Sequence, residues 1–388
     1  MLNFSFMFKL RLITVLVWIY CLETVYAGNP IVEIADGKIL GRELVTPQGK
    51  NYYAFQGIPF AAPPLGDLRF AEPQAPTRWN ETKDCSNRSI ICIQSRIFIS
   101  ELESEDCLFL NVYTPKLAGH ANQSDLAVMV YFYGGAFYIG NSTIDAYGPD
   151  FLIEHDVVVV TTNYRLGAFG FLSTVDSVIP GNFGLKDQQF ALKWVKNNIR
   201  VFGGDPEKVT IFGNSAGAAS VGLHILNKES AGLFRAGIMS SGTPLNSWCL
   251  QRHPRKVAYL TAHLVNDSKI LNSSNELLQF LRSVPARMIR KASLDVMAVD
   301  PFELDMNLNG FYYTPVNDVS TKSGFLKDPT YELLENGDFS RVPLMMGITS
   351  EEYLTDKMEN LKKLMKIVFG PELIFTDRFK GTVMKRRK

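Results

Sequence analysis

A serine lies between two glycines at the point where a buried strand is expected to turn into a helix. Residues 213–217 read Gly-Asn-Ser-Ala-Gly and directly follow the apolar run 209–212. A Gly-x-Ser-x-Gly pattern in this setting is typical of a tight turn that raises the serine hydroxyl above a sheet. The N-terminus of the following helix favours negative charge beside that hydroxyl. The pattern predicts a nucleophile at Ser215, with a purely structural turn as the alternative.

A second glycine-rich segment lies one strand-helix unit before the serine. Residues 133–137 read Tyr-Gly-Gly-Ala-Phe and follow another predicted strand. Backbone N–H groups of such a loop can stabilise the oxyanion that forms when a serine attacks a carbonyl, and loss of one donor typically costs about 3–4 kcal/mol. A Gly-Gly pair by itself is usually just a turn. Its position relative to Ser215 favours a role as the second part of an oxyanion hole.

Alternating strands and helices must hold these two segments in place. Apolar runs bounded by turn residues predict buried strands at 108–113, 126–133, 157–162, 209–213, 236–240 and 342–348. Helical spacing of apolar residues predicts helices at 185–202, 216–227, 275–283 and 353–368. An Asp-Gly pair at 36–37 predicts a hairpin. This alternation predicts an α/β fold, a mostly parallel sheet with helices on both faces.

Several further motifs make the sequence resemble one known family. Phe-Gln-Gly-Ile-Pro-Phe-Ala begins at Phe55, Glu-Asp-Cys-Leu-Phe-Leu-Asn-Val at Glu105, Asn-Tyr-Arg-Leu-Gly at Asn163 and Phe-Gly-Gly-Asp-Pro at Phe202. With Leu-Arg-Phe at 68–70 and Gly-Asn at 181–182, they follow the order of the type-B carboxylesterases, the cholinesterase-like α/β hydrolases. The resemblance runs from residue 37 to about residue 352, and it is strongest to secreted insect esterases.

The resemblance implies an α/β-hydrolase fold, no cofactor, and hydrolysis of carboxylic esters through an acyl-enzyme. Ser215 would be the nucleophile, and the N–H groups of Gly135, Ala136 and Ala216 would form the oxyanion hole. Tyr133 stands where many esterases carry a histidine, as it also does in the cholinesterase branch. The substrate would be a small apolar ester, although the sequence selects neither a particular ester nor an oligomeric state.

The resemblance also implies one disulfide. Cys107 lies in the family's disulfide-bearing motif, and Cys92 begins its Cys-x-Gln pattern, which makes Cys92 a better partner than Cys85. Closing a loop of about 15 residues would contribute roughly 3 kcal/mol. Cys85 and Cys249 have no convincing partners, and either could be a buried thiol.

The acid of the family's catalytic triad follows a late strand in a Gly-x-Thr-x-x-Glu-Gly pattern. Residues 347–353 read Gly-Ile-Thr-Ser-Glu-Glu-Tyr, which implies Glu352 as the acid and Glu351 as the alternative. Tyr353 replaces the final glycine. The triad base is a histidine that follows the acid in these enzymes. All five histidines precede Glu352 in this sequence: His120, His155, His224, His253 and His263.

These observations lead to the expectation that the hydrolase domain, residues 28–388, is incomplete at its C-terminus. Loss of the base in a serine hydrolase costs on the order of a millionfold in turnover. We therefore expect this form to be at most a trace hydrolase. A non-catalytic, cholinesterase-like binding or adhesion protein is the alternative function. A truncated isoform or an incomplete gene model of an active enzyme would account for both the retained Ser215 and the absent histidine.

The N-terminal residues predict export from the cell. Lys9 and Arg11 precede an apolar run at 12–22 and a small-residue cleavage site at 25–27, so residues 1–27 form a predicted signal peptide. The run is too short to span a bilayer, which needs about 20 helical residues, although a signal anchor is the alternative. Six glycosylation sequons support a secreted glycoprotein: Asn80, Asn87, Asn122, Asn141, Asn266 and Asn272.

The composition excludes several other classes of protein. Hydrophobic residues make up 46% of the chain, and 40 Lys and Arg balance 39 Asp and Glu. These values exclude a disordered chain, a fibre and a strongly basic nucleic-acid binder. The sequence has no Cys-x-x-Cys or His-Glu-x-x-His pattern, so no metal site is expected. No nucleic-acid partner and no stable membrane insertion are expected either.

Overall fold

The structure is a computed structural model that describes residues 29–95, 100–119, 125–299, 311–318 and 324–349, with the backbone alone at 297–299. Several predicted features lie outside these ranges: the signal peptide 1–27, His120, Asn122, Glu351, Glu352 and the helix 353–368. Within the described residues, no helix is long and apolar enough to cross a membrane.

The strands are numbered β1 to β13 along the chain. They are β1 Ile31–Ile34, β2 Gly37–Leu40, β3 Arg42–Val45, β4 Asn51–Pro59, β5 Lys83–Asp84, β6 Ile91–Cys92, β7 Glu103–Ser104, β8 Phe109–Thr114, β9 Leu126–Phe132, β10 Val158–Thr162, β11 Gly204–Asn214, β12 Ala236–Ser240 and β13 Leu344–Gly347. The α-helices are α1 Asp150–Ile153, α2 Gly167–Phe171, α3 Phe183–Asn198, α4 Ala216–Leu226, α5 Pro254–Val265, α6 Ser274–Ser283, α7 Ala286–Val299 and α8 Thr330–Glu335. Short 3₁₀ helices span Gly66–Leu68, Ile199–Phe202 and Lys228–Ser230.

An eight-stranded mixed sheet forms the centre of the molecule, in the order β13-β12-β11-β9-β10-β8-β4-β3. The neighbours from β13 to β10 pair in parallel, whereas β10-β8, β8-β4 and β4-β3 pair antiparallel. The carboxyl ends of the parallel strands therefore share one edge, which is where ligands bind in open α/β sheets. The expected α/β-hydrolase fold is confirmed, with its parallel pairings confined to the half of the sheet that carries Ser215.

The first core cluster lies between the sheet and two long helices. Alternate residues of the strands turn apolar side chains to this face, and helices α3 and α4 cover it. The strand residues include Leu110, Val112, Val128, Val130, Val158, Val160, Val209 and Ile211, and the helix residues include Ala191, Leu192, Trp194, Val195, Ala218 and Val221. On the opposite face, Ile153 of the short helix α1 packs with Val159, Tyr113 and Tyr52.

Helix α4, which follows Ser215, is enclosed on all sides. Every one of its 11 residues is buried. Ala218 and Val221 face the sheet, whereas Ala219 and Leu223 face a second cluster that includes residues of α5, α6 and α7. A helix that is apolar all round is stable only when it is buried all round. This enclosure fixes the position of the turn that carries the serine.

All six predicted strands are present, and the predicted hairpin is formed by β1 and β2, where Ile34 pairs with Gly37. The predicted helix 185–202 is observed as α3 followed by the 3₁₀ helix Ile199–Phe202. Helices α5 and α7 were outside the predicted set. In α5 the buried residues Val257, Ala258, Thr261 and Ala262 nevertheless recur at helical spacing.

Candidate active site

Ser215 lies at the junction of β11 and α4 in an unusual backbone conformation. Its φ is 55° and its ψ is −119°, a region that costs a non-glycine residue about 1–3 kcal/mol. Two backbone hydrogen bonds maintain it: the Ser215 N–H donates to the Ser240 carbonyl, and the Ser215 carbonyl accepts from the Ala219 N–H, both at 2.9 Å. The side chain is partly exposed at the carboxyl edge of the parallel strands.

The flanking glycines are required by close backbone contacts. A methyl group on Gly213 would collide with the backbone of Gly217, and one on Gly217 would collide with the carbonyl oxygen of Phe132 in β9. The sharp turn therefore depends on the absence of side chains at both positions, as the Gly-x-Ser-x-Gly pattern predicts.

The loop that follows β9 passes directly beside the serine. A methyl group on Gly134 would lie 3.2 Å from Ser215 Cβ. The next residues turn sharply, with positive φ angles of 125° at Gly135, 55° at Ala136 and 65° at Phe137. The Gly135 carbonyl accepts hydrogen bonds from the N–H groups of Tyr138 at 2.9 Å and Ile139 at 3.1 Å. Hydrogen bonds within the loop itself therefore stabilise the turn.

Three backbone N–H groups in the two segments around Ser215 have no hydrogen-bond acceptor among the described residues. Among the described residues, none accepts a hydrogen bond from the N–H of Gly135, Ala136 or Ala216. Ala216 is the first residue of α4, where an N–H has no partner within the helix. Two segments far apart in the sequence therefore bring unpaired donors to the serine.

Tyr133, at the start of the glycine loop (residues 133–140), is fully buried and pairs with Tyr164. The two rings stack at 4.4 Å. The Tyr133 hydroxyl donates to the Tyr164 carbonyl at 3.1 Å, and the Tyr164 hydroxyl donates to the Tyr133 carbonyl at 2.7 Å. Burial raises the pKa of both phenols above their usual value. The pair joins the start of the glycine loop to the segment after β10.

Cys92 and Cys107 form the disulfide that the family resemblance implies. Cys85 and Cys249 are buried free thiols. Burial raises the pKa of Cys85 to about 12, so this thiol stays protonated at neutral pH.

The predicted acid follows a strand that ends at the same edge as Ser215. Asn214 in β11, Ser240 in β12 and Gly347 in β13 lie in register, and the Ser241 N–H donates to the Gly347 carbonyl at 2.8 Å. The chain therefore leaves β13 two strands away from the serine turn. Glu352 and its alternative Glu351 lie outside the described residues.

None of the described histidines forms a hydrogen bond with Ser215. His155 follows α1, His253 precedes the first residue of α5, and His263 lies in the last turn of α5. His224 of α4 is fully buried, with Nδ1 3.0 Å from Ser230 Oγ and Nε2 3.1 Å from Gln188 Oε1. Its ring stacks on Phe132 at 5.3 Å. His224 therefore joins α3 to α4.

His224 should make the protein sensitive to acid. Burial lowers its pKa to about 3, whereas a histidine in the unfolded chain takes up its proton near pH 6.5. The unfolded state binds more protons between these values, so the free energy of unfolding falls as the pH falls from about 6.5 towards 3. We expect this residue to remove ~2 kcal/mol between pH 7 and pH 5.

Urea denaturation at the two pH values, compared with His224→Gln, measures this contribution. The free energy of unfolding of His224→Gln should change less between pH 7 and pH 5 than that of the unchanged protein, because glutamine does not titrate. Equal pH dependence in the two proteins would show that the buried ring accepts a proton without cost.

An aromatic surface that the sequence did not reveal lies beside the glycine loop. Phe137 of the loop lies 6.4 Å from Trp248, and Trp248 stacks on Phe311 at 6.0 Å between ring centroids. Trp248 and Phe311 are both partly exposed, whereas Phe137 is buried. The Phe311 N–H also donates to the Trp248 carbonyl at 3.3 Å. Trp248 and Phe311 thus form a partly exposed aromatic pair that adjoins the glycine loop through Phe137.

A serine on a strand-to-helix turn of a mixed sheet places the protein among the α/β hydrolases. The chain belongs to the carboxylesterase family, whose model matches residues 28–371.

Curated relatives from insects are similar over most of this chain. A juvenile hormone esterase of Tribolium castaneum is 38% identical over 346 residues, 86% of this chain and 57% of the relative. A carboxylic ester hydrolase of Bombus ignitus is 37% identical over 84% of this chain and 57% of its own length, and esterase FE4 of Myzus persicae is 37% identical over 88% and 59%. The chain thus spans less than two thirds of these relatives.

Proposed function

We propose that the protein is a carboxylic ester hydrolase that acts through Ser215. The observation that carries this proposal is the position of Ser215 on its strained turn, beside unpaired N–H groups from two separate segments. Donors fixed at the place where charge develops are usually the largest single contribution to this kind of catalysis. Membership of the carboxylesterase family supports the same reaction class.

In the proposed reaction, Ser215 Oγ bonds to the ester carbonyl carbon and its proton passes to a base. The N–H groups of Gly135, Ala136 and Ala216 hold the negative oxygen, and the alcohol leaves with the proton. Water then attacks the acyl-enzyme and releases the carboxylic acid. Glu352 is the proposed acid of the triad.

We further propose that the substrate is an apolar ester. The partly exposed rings of Trp248 and Phe311 lie beside the loop of the proposed oxyanion hole, where they can pack against the acyl or alcohol part of an ester. Among the relatives, one is named for juvenile hormone, and others carry only the general name of esterase.

We also propose that the protein is exported and glycosylated. The predicted signal peptide, residues 1–27, supports export. Four of the predicted acceptor asparagines are exposed: Asn80, Asn87, Asn266 and Asn272. Asn141 is half-buried, and its side chain accepts hydrogen bonds from the N–H and hydroxyl of Thr143. Asn122 lies outside the described residues.

A fluorophosphonate probe tests the proposed nucleophile without requiring turnover. The probe should label the unchanged chain at Ser215, and it should leave Ser215→Ala unlabelled at this position because the variant lacks the hydroxyl that displaces fluoride. Intact-mass measurement and peptide mapping identify the modified residue.

The matched control is Ser283→Ala, which removes an exposed serine of α6 whose hydroxyl donates to the Phe280 carbonyl. This variant should be labelled at the rate of the unchanged chain. Equal labelling of Ser215→Ala and Ser283→Ala would contradict the proposed function.

A further inference from the structure

Gln94 forms two hydrogen bonds with Gly140, at the end of the glycine loop. The proposed reaction does not use this side chain. Gln94 Nε2 donates to the Gly140 carbonyl at 2.6 Å, and the Gly140 N–H donates to Gln94 Oε1 at 3.2 Å. The side-chain amide thus bonds to both the N–H and the carbonyl of Gly140, the two groups that a neighbouring strand would bond. Gln94 is only 1% exposed, so water does not compete for these bonds.

Gly140 connects the hydrogen bonds of Gln94 to the start of the loop, because it packs closely against the residues there. It has a φ of 125°, and a methyl group on it would collide with the ring of Tyr133 and lie 2.7 Å from the Gly134 carbonyl oxygen. Gly140 therefore packs against the residues that begin the loop. A displacement of Gly140 would be passed to Gly134, which lies beside Ser215.

The segment that carries Gln94 is itself held at both sides. Two residues before it, Cys92 is joined to Cys107 by the disulfide. One residue after it, the Ser95 N–H donates to the Tyr138 carbonyl at 3.1 Å, a second bond to the same loop. The loop is thus fastened to an anchored segment at Tyr138 and at Gly140.

We propose that Gln94 is a positioning residue for the oxyanion hole. Its amide fixes Gly140 and thereby the orientation of the Gly135 and Ala136 N–H groups towards the oxyanion. This inference rests on the proposed function, since it assigns Gln94 a part in the reaction of Ser215. A donor displaced by about 1 Å from the developing charge loses much of its effect on the reaction rate.

The test uses Gln94→Met, which keeps the length of the side chain but removes both polar groups, and Gln94→Ala as a second variant. The matched control is Gln251→Met, since Gln251 is also buried and also bonds two backbone groups. Its Nε2 donates to the Phe311 carbonyl at 3.0 Å, and its Oε1 accepts from the His253 N–H at 2.6 Å.

Two measurements are made on the full chain: the saturation kinetics of fluorophosphonate labelling at Ser215, and amide hydrogen exchange of residues 134–140. For Gln94→Met we expect the first-order labelling constant to fall about tenfold relative to Gln251→Met, with less than a twofold change in the half-saturating probe concentration. Amides of the loop should exchange faster in this variant than in the control.

The outcomes separate this inference from the proposed function. The inference is overturned if Ser215 of the unchanged chain is labelled and labelling is slowed equally in Gln94→Met and Gln251→Met. It is also overturned if amide exchange of the loop is unchanged in Gln94→Met. In both cases the proposed function stands. If the unchanged chain is not labelled at Ser215, the proposed function is overturned and the role of Gln94 in it falls as well.

Discussion

Replacement of Gly217 by alanine is expected to destabilise the protein by about 3 kcal/mol or more and to abolish labelling of Ser215. The added methyl group would collide with the carbonyl oxygen of Phe132, which is backbone and cannot rotate away. Phe132 is the last residue of β9, directly before the glycine loop, and Gly217 lies in the first turn of α4. The collision would therefore separate the two segments that bring N–H groups to the serine.

Urea denaturation and the rate of fluorophosphonate labelling measure the two effects of Gly217→Ala. Gly347→Ala is a suitable control, because a methyl group at that position would meet no atom of the described residues within 4 Å. The control should retain its stability to within about 0.5 kcal/mol. A Gly217→Ala protein that keeps both its stability and its labelling would show that the turn tolerates a side chain.

Replacement of Asp187 by alanine is expected to cost about 3–5 kcal/mol, because it leaves a buried arginine without its counter-ion. Arg165 pairs with Asp187 through two bonds, Nε to Oδ2 at 2.8 Å and Nη2 to Oδ1 at 2.7 Å. The Arg165 N–H also donates to Asp187 Oδ2 at 3.0 Å. The side chains are only 4% and 0% exposed.

The consequences of this substitution should reach the active site. Arg165 follows Tyr164, whose ring and hydroxyl hold Tyr133 at the start of the glycine loop. Loss of the ion pair would loosen the segment after β10 from α3, so labelling of Ser215 should slow as well.

An exposed ion pair provides the control for this prediction. Asp156 bonds to Lys50 at 2.7 Å, but its side chain is 71% exposed, and such pairs contribute about 0–1 kcal/mol. Urea denaturation should therefore separate Asp187→Ala clearly from Asp156→Ala. Equal stability changes would mean that Arg165 finds water or another partner when its carboxylate is removed.

The parts of the site that could be predicted are those fixed by local sequence. The turn at Ser215 could be predicted from the glycines two residues on either side of it. The clash at Gly213 is with the nearby backbone of Gly217, whereas the clash at Gly217 is with Phe132 of a separate strand and becomes visible only in the folded sheet. Strands β8 and β10 could be predicted because they are buried along their whole length and read as continuous runs of mainly apolar residues. The Cys92–Cys107 pairing came from the resemblance, since spacing alone leaves Cys85 open.

Other features could not be predicted because they join distant segments. Gln94 meets Gly140 across 46 residues, and no pattern around Gln94 indicates that its amide will find a backbone partner. Trp248 and Phe311 stack although a long stretch of chain separates them. Isolated aromatic residues are common in any core, so their types alone do not indicate a pocket wall.

By itself the sequence determined the chemistry available to this protein: a serine on a glycine turn, a glycine-rich loop that can donate N–H groups, and an alternation of strands and helices. The tertiary structure decided which of these groups meet. It left the N–H groups of Gly135, Ala136 and Ala216 without an acceptor among the described residues, bonded Gln94 to the loop at Gly140 and buried His224. The physical reason is that hydrogen-bond pairing and burial depend on residues from separate elements, which the folded sheet brings to one edge.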